Sequence, residues 1–85
     1  MDQKTAVSIA KHYIAEIYRD EHVREIGLEE IRKDHHDNWI ITIGFKRENI
    51  SNDDNIFSAM GNNNSRIYKV LEIDSEGNVE SMSNR

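Results

Sequence analysis

Two stretches of the chain place apolar side chains at every second position. They are Trp39-Ile40-Ile41-Thr42-Ile43-Gly44-Phe45-Lys46 and Arg66-Ile67-Tyr68-Lys69-Val70-Leu71-Glu72-Ile73-Asp74. Successive side chains of a β-strand point to opposite faces, so a period of two predicts strands. Ahead of them, Ala6, Ala10, Tyr13, Ile14 and Ile17 follow the i, i+3, i+4 spacing of one helix face, with Val7 on its border. Lys4, Lys11, Glu16, Arg19 and Asp20 occupy the other side. A helix from Asp2 to about Glu21 follows, with the Asp2 carboxylate placed to accept a free N–H of the first turn. Ala6 and Ala10 are small enough to let that helix lie close to a sheet.

The segment Val23 to Lys33 is ambiguous in periodicity, because Ile26 and Leu28 alternate but Ile31 breaks the parity. Pairing it with the first strand run decides the matter. A connection of two or four residues around His35-His36 sets Leu28 opposite Ile43, Ile26 opposite Phe45 and Arg32 opposite Trp39. Ile31 and Ile40 then meet on the other face. Matching of apolar partners in this way sets register in a half-buried sheet. The second run continues through Asp74-Ser75-Glu76-Gly77-Asn78 to Val79 and Met82. Gly77 suits the left-handed position of a three-residue hairpin loop. That hairpin sets Ile73 opposite Val79 and Val70 opposite Met82, and it brings Glu72 against Glu80.

The assembled expectation is an α+β fold, one N-terminal helix packed on one face of a four-stranded antiparallel β-meander. Residues 1–85 form a single domain. The predicted core is Ala6, Ala10, Tyr13, Ile14, Ile17, Ile26, Leu28, Trp39, Ile41, Ile43, Phe45, Leu71, Ile73 and Val79. The opposite face carries Ile31, Ile40, Thr42, Tyr68, Val70 and Met82, more apolar than a solvated face requires. Residues 47–65 form a long polar loop between the second and third strands, rich in Asn and Asp. Connections of that length are usually functional or disordered.

Composition narrows the picture further. A chain of 85 residues without cysteine cannot staple a small core with disulfides, and it fits a reducing compartment. Met1-Asp2-Gln3-Lys4 leads directly into the amphipathic stretch, and nothing approaches the ~20 apolar residues of a membrane span. A cytoplasmic location is therefore expected. The net charge of −5 is spread over both signs, which argues against nucleic-acid binding.

The closing run Tyr68-Lys69-Val70-Leu71-Glu72-Ile73-Asp74-Ser75-Glu76-Gly77-Asn78-Val79 resembles the Tyr-x-Val-x-x-Ile-Asp…Gly-x-Val end of PepSY-type domains. The early helix with Ala6, Ile9 and Ala10 is similar to theirs, and a helix with an antiparallel meander is similar to cystatin-like small bacterial proteins. The resemblance covers the helix and last strands, not the Asn-rich gap. It implies a non-catalytic fold and supplies no functional residue. PepSY domains are usually exported or membrane-attached and are thought to restrain proteases. A chain with no export signal departs from that role.

Candidate chemistry is sparse. Asp34-His35-His36-Asp37 is better suited to a polar turn than to zinc, which wants four converging ligands. Asp53-Asp54-Asn55 with Asn49 and Asn52 lacks the order of a calcium loop and its closing glutamate. No nucleophile motif of the Gly-x-Ser-x-Gly kind is present. No catalytic, cofactor or metal residue is assigned, and no enzyme activity is expected. Trp39 is expected in the core, with stacking on Arg32 or an exposed anchor at a sheet end as the alternatives. Tyr18, Ile31, Ile40, Asn55, Phe57, Tyr68 and Val70 are the candidate partner-binding residues, since apolar and aromatic side chains within a polar rim are typical interface anchors. The expected function is a non-catalytic interaction domain that binds a protein through the long loop and the exposed sheet face. The alternative is an inhibitor, immunity or antitoxin-like protein for a neighbouring enzyme or toxin. A homodimer would cover the free sheet surface or its edge.

Overall fold

The computed structural model describes residues 1–47 and 66–85. Helix α1 spans Gln3–Ile17, a single 3₁₀ turn spans Arg19–Glu21, and four strands follow: β1 Val23–Lys33, β2 Trp39–Arg47, β3 Ile67–Ile73 and β4 Val79–Asn84. The strands form one antiparallel sheet in the order β1-β2-β3-β4. The expected α+β architecture is the one observed.

Asp2 caps α1, its Oδ1 accepting the Thr5 N–H at 2.9 Å. Hydrogen bonds from Thr5, through its side chain first and its N–H second, hold the Asp2 carboxyl below its ordinary pKa. The helix ends without glycine. Tyr18 donates its N–H to the Ile14 carbonyl, and His22 takes the left-handed conformation at φ 52° that a glycine would ordinarily supply. The helix therefore closes earlier than Glu21.

Ala6, Ala10 and Ile14 are fully buried against Ile41, Ile43 and Phe45 of β2 and Leu71 and Ile73 of β3. Trp39, Val79, Ile26 and Tyr13 pack around this cluster, half-buried. Two predicted core residues lie outside it. Ile17 is 50% exposed and Leu28 is 41% exposed. At the helix end the Tyr18 ring folds back on Phe45, with centroids 5.2 Å apart, and fills the place assigned to Ile17. Leu28 faces Ile43 as predicted, but it lies between two irregularities of an outer strand.

Those irregularities correct the predicted register. Near the turn, Ile31 faces Ile41, Arg32 faces Ile40 and Lys33 faces Trp39. Ile31 therefore lies on the helix side, packed against the core, and does not share a face with Ile40. The Lys33 ammonium, not Arg32, sits over the Trp39 ring at 4.7 Å. The cause is the loop, which closes at Asp34 and Asn38 with a left-handed Asp37 at φ 66°. A bulge at Glu29 then restores the Leu28–Ile43 pairing. A second bulge sets Glu25 and Ile26 against Phe45, with Glu25 at φ 54°.

The β3–β4 hairpin behaves similarly. Ile73 faces Val79 as predicted, but Glu72 faces Ser81, Val70 faces Ser83 and Leu71 faces Met82. Glu80 is the extra residue. The bulge removes the Glu72–Glu80 opposition and moves Met82 to the helix side, where it packs against the core.

Both hairpins use one loop design. Asp34 N–H donates to Asn38 O at 3.0 Å and Asp74 N–H to Asn78 O at 2.9 Å. Asp34 Oδ1 accepts from the N–H groups of His36 (2.8 Å) and Asn38 (3.0 Å). Asp74 Oδ1 accepts from those of Glu76 (2.9 Å) and Asn78 (2.8 Å). Asp37 in the first loop occupies the position of Gly77, at φ 92°, in the second. An L-residue meets a steric cost there that glycine does not.

The packing and the loops make separate predictions for stability. Phe45→Ala should cost about 3–5 kcal/mol in chemical denaturation, while Leu28→Ala should cost less than about 1 kcal/mol. Asp37→Gly should stabilise by about 0.5–1 kcal/mol, and Gly77→Ala should destabilise by about 1–2 kcal/mol. Shifts of opposite sign in the denaturation midpoint would confirm that the two loops are equivalent.

Candidate binding surface

The register assigns every side chain on the face turned away from α1. Three cross-strand rows run over it. Arg32, Ile40, Glu72 and Ser81 form the first, and Glu30, Thr42, Val70 and Ser83 the second. Gly27, Gly44 and Tyr68 form the third, with Arg85 beside Tyr68. Beyond it, Arg24 faces Lys46. Ile40, Tyr68 and Val70 are half-buried, and Thr42 in the middle is buried. No described helix or loop lies over this face.

The face is polarised. At the end where β1 begins, Arg24, Lys46, Arg66 and Arg85 gather, and among the described residues only Glu25 answers them. Lys46 Nζ lies 3.4 Å from the Glu25 carboxylate. Arg66 Nη2 donates to the Glu25 carbonyl at 2.9 Å, and its Nε is enclosed without a partner among the described residues. The Arg85 guanidinium lies 4.1 Å from the Tyr68 ring centroid. Gly44 makes this arrangement fit, since a Cβ there would come within 2.9 Å of both Tyr68 Cε1 and Arg66 Nη2.

At the loop end carboxylates outnumber cations, Arg32 of the first row being the cation among them. Glu72 accepts from Asn38 Nδ2 at 2.9 Å and from Ser81 Oγ at 3.5 Å. The N–H of Asn38 holds the Asp34 carboxyl below its ordinary pKa, and that of Asn78 does the same for Asp74. Glu80 is pushed the other way, by a hydrogen bond with Asp74 first and by repulsion from that carboxylate second.

The candidate partner-binding residues are thus dispersed. Ile40, Tyr68 and Val70 share the open face. Ile31 lies on the opposite side, and Tyr18 is at the helix end, packed on Phe45 with Arg47 at 5.8 Å from its ring. Asn55 and Phe57, with the rest of the predicted 47–65 loop beyond Arg47, lie outside the described residues. The basic corner escaped sequence analysis because its members come from four separate segments of the chain. Its one sequence signal is that Lys46 shares parity with Gly44.

Chemistry on the remaining surface is limited. The His35 and His36 rings lie 4.3 Å apart at the tip of the first loop. Among the described residues, no group of three or more His, Cys, Asp or Glu side chains is placed to hold a metal ion. On the helix side, Ser8, Ile9, His12, Tyr13, Glu16 and Val79 line an open groove of about 400 Å³ between α1 and β4. No described helix is long and apolar enough to cross a membrane. No family model matches the chain, and no curated protein or solved structure matches it either.

The titrations give an acid-stability prediction. Asp34 and Asp74 have depressed folded-state pKa values, so their contribution is complete above the ordinary value of 3.8 and is lost as pH falls through the folded values. Glu80, raised above 4.5, acts in reverse, its penalty being present above its folded pKa and relieved on acidification. Asp34→Asn with Asp74→Asn should flatten the fall in melting temperature below about pH 4. Glu80→Gln should raise the melting temperature near neutral pH and leave it unchanged at about pH 2.5, where the carboxyl is protonated in both states. Thermal melts across this range check both.

Proposed function

We propose that this chain is a non-catalytic protein-interaction domain that binds its partner through the open sheet face. The observation that carries this reading is the surface formed by Ile40, Val70 and Tyr68, bordered by a cluster of cations at one end and by Glu72 and Arg32 at the other. Half-buried apolar side chains within a charged rim are the usual composition of a protein interface. The partner surface is expected to carry an apolar patch with carboxylates placed to meet Arg24, Lys46, Arg66 and Arg85. The resemblance of Tyr68 to Val79 to the close of PepSY-type domains is in keeping with a role that needs no reaction centre.

The test is affinity purification from the native host with three baits: wild type, Val70→Lys and, as control on the helix side, His12→Ala. A specific partner should be retained by wild type and His12→Ala and weakened at least about tenfold by Val70→Lys. If that partner is an enzyme or toxin whose activity falls on binding, the inhibitor or immunity role is the correct subclass. A partner indifferent to Val70→Lys would show that this face is not the binding surface.

A further inference from the structure

The two outer strands of the sheet are guarded very differently. β1 carries two bulges and the charges Arg24, Glu25, Glu29, Glu30, Arg32 and Lys33. Bulges and charges of this kind keep an edge from pairing with another chain. β4 reads Val79-Glu80-Ser81-Met82-Ser83-Asn84, with one bulge near its start and a single charge. Helix α1 packs chiefly over β1, β2 and β3, and an open groove lies between it and Val79 of β4.

The backbone of β4 is set for pairing. Arg85 donates its N–H to the Tyr68 carbonyl at 3.5 Å, so position 85 bonds inward to β3. In an antiparallel ladder, inward and outward positions alternate. Positions 84 and 82 therefore turn their N–H and C=O groups to the free edge. β4 also has charged ends of opposite sign. Asp74, Glu76 and Glu80 stand at its start. Arg85 and Lys69, whose ammonium bonds the Asn84 side chain, stand at its finish.

We propose that β4 pairs antiparallel with β4 of a second copy of this chain, about a two-fold axis at Met82. This register satisfies three conditions together. It joins Met82 to Met82 through their outward backbone groups, and Asn84 to Glu80. It keeps faces matched, with Met82 against Met82 on the helix side and Ser81 against Ser83 on the open side. It brings Glu80 and its acidic neighbours beside Arg85 and Lys69 of the other copy, where parallel pairing would set like charges together. The product is an eight-stranded sheet in which the two open faces are continuous.

Sedimentation equilibrium tests this directly. The wild-type mass should rise with concentration from 9.9 kDa toward twice that value. Glu80→Lys sets a lysine beside Arg85 of the other copy at both ends of the paired strands. Arg85→Glu instead sets a glutamate beside Glu80 at both ends. Each variant alone should dimerise at least about tenfold more weakly. Mixing the two variants gives a heterodimer in which each end sets a cation beside a carboxylate, so the mixture should associate where neither variant does alone. The double variant Glu80→Lys with Arg85→Glu likewise makes both ends attractive and should restore association. Hydrogen exchange on the unaltered protein gives a second readout, with Met82 and Asn84 amides gaining protection as concentration rises. A wild-type monomer at about 1 mM, single variants that dimerise as wild type does, or a double variant that fails to recover would each overturn the proposal.

Discussion

Everything in this molecule is arranged around the helix side of β2. Ile41, Ile43 and Phe45 are fully buried there, and Trp39 completes the row at the loop end. A strand with period two has a single way to present such a row, so the facing of β2 is not negotiable. Ala6 and Ala10 bring α1 close, and Ile14 fills the space toward Phe45. The neighbouring strands must then adapt to β2. β1 adapts with two bulges, while β3 pairs with β2 without interruption from Trp39–Ile73 to Phe45–Ile67.

The hairpin loops explain why bulges are needed. An Asp side chain that accepts two backbone N–H groups, with a left-handed residue behind it, makes a rigid three-residue loop. Rigid loops impose a register at their own end of the sheet. At Asp34 that register brings Ile31 opposite Ile41, and at Asp74 it brings Ile73 opposite Val79. Both are apolar pairings. Carried further unchanged, the first would put Glu29 opposite the buried Ile43, and the second would put Glu72 opposite Glu80. Bulges at Glu29 and Glu80 prevent both. In each case the residue expelled from the ladder is a glutamate, for which an exposed position is the favourable one.

The sequence shows the architecture plainly because it rests on periodicity. The helix, the two central strands and most of the core can be read from spacing, and the outer strands from their pairing with those two. The errors are local, and several share one chemical origin. Gly77 announces a left-handed position, and the second loop is legible from it. Asp37, His22 and Glu25 adopt positive φ without glycine, so the first loop, the helix stop and the bulge at Glu25 leave no such mark. The misplacement of Ile31 follows from Asp37, and that of Met82 from a bulge that only the conflict between Glu72 and Glu80 foreshadows. The basic corner is hidden for another reason, since it is built by sheet register across distant segments.

That corner also has a structural task. Gly27 opposite Gly44 leaves one step of the β1–β2 ladder without side chains to pack on its open face, a weak point in any sheet. Tyr68 and Arg66 of the β3 segment lie in the vacated space. Arg66 crosses to the carbonyl of Glu25 and ties the start of β3 to the bulge of β1. A guanidinium bonded to a carbonyl keeps its charge, because a carbonyl neutralises nothing. Arg66 thus braces the sheet while keeping its positive charge. If a partner binds this face as proposed, it meets residues that also hold the strands together, at the end of the sheet that the glycines leave weakest.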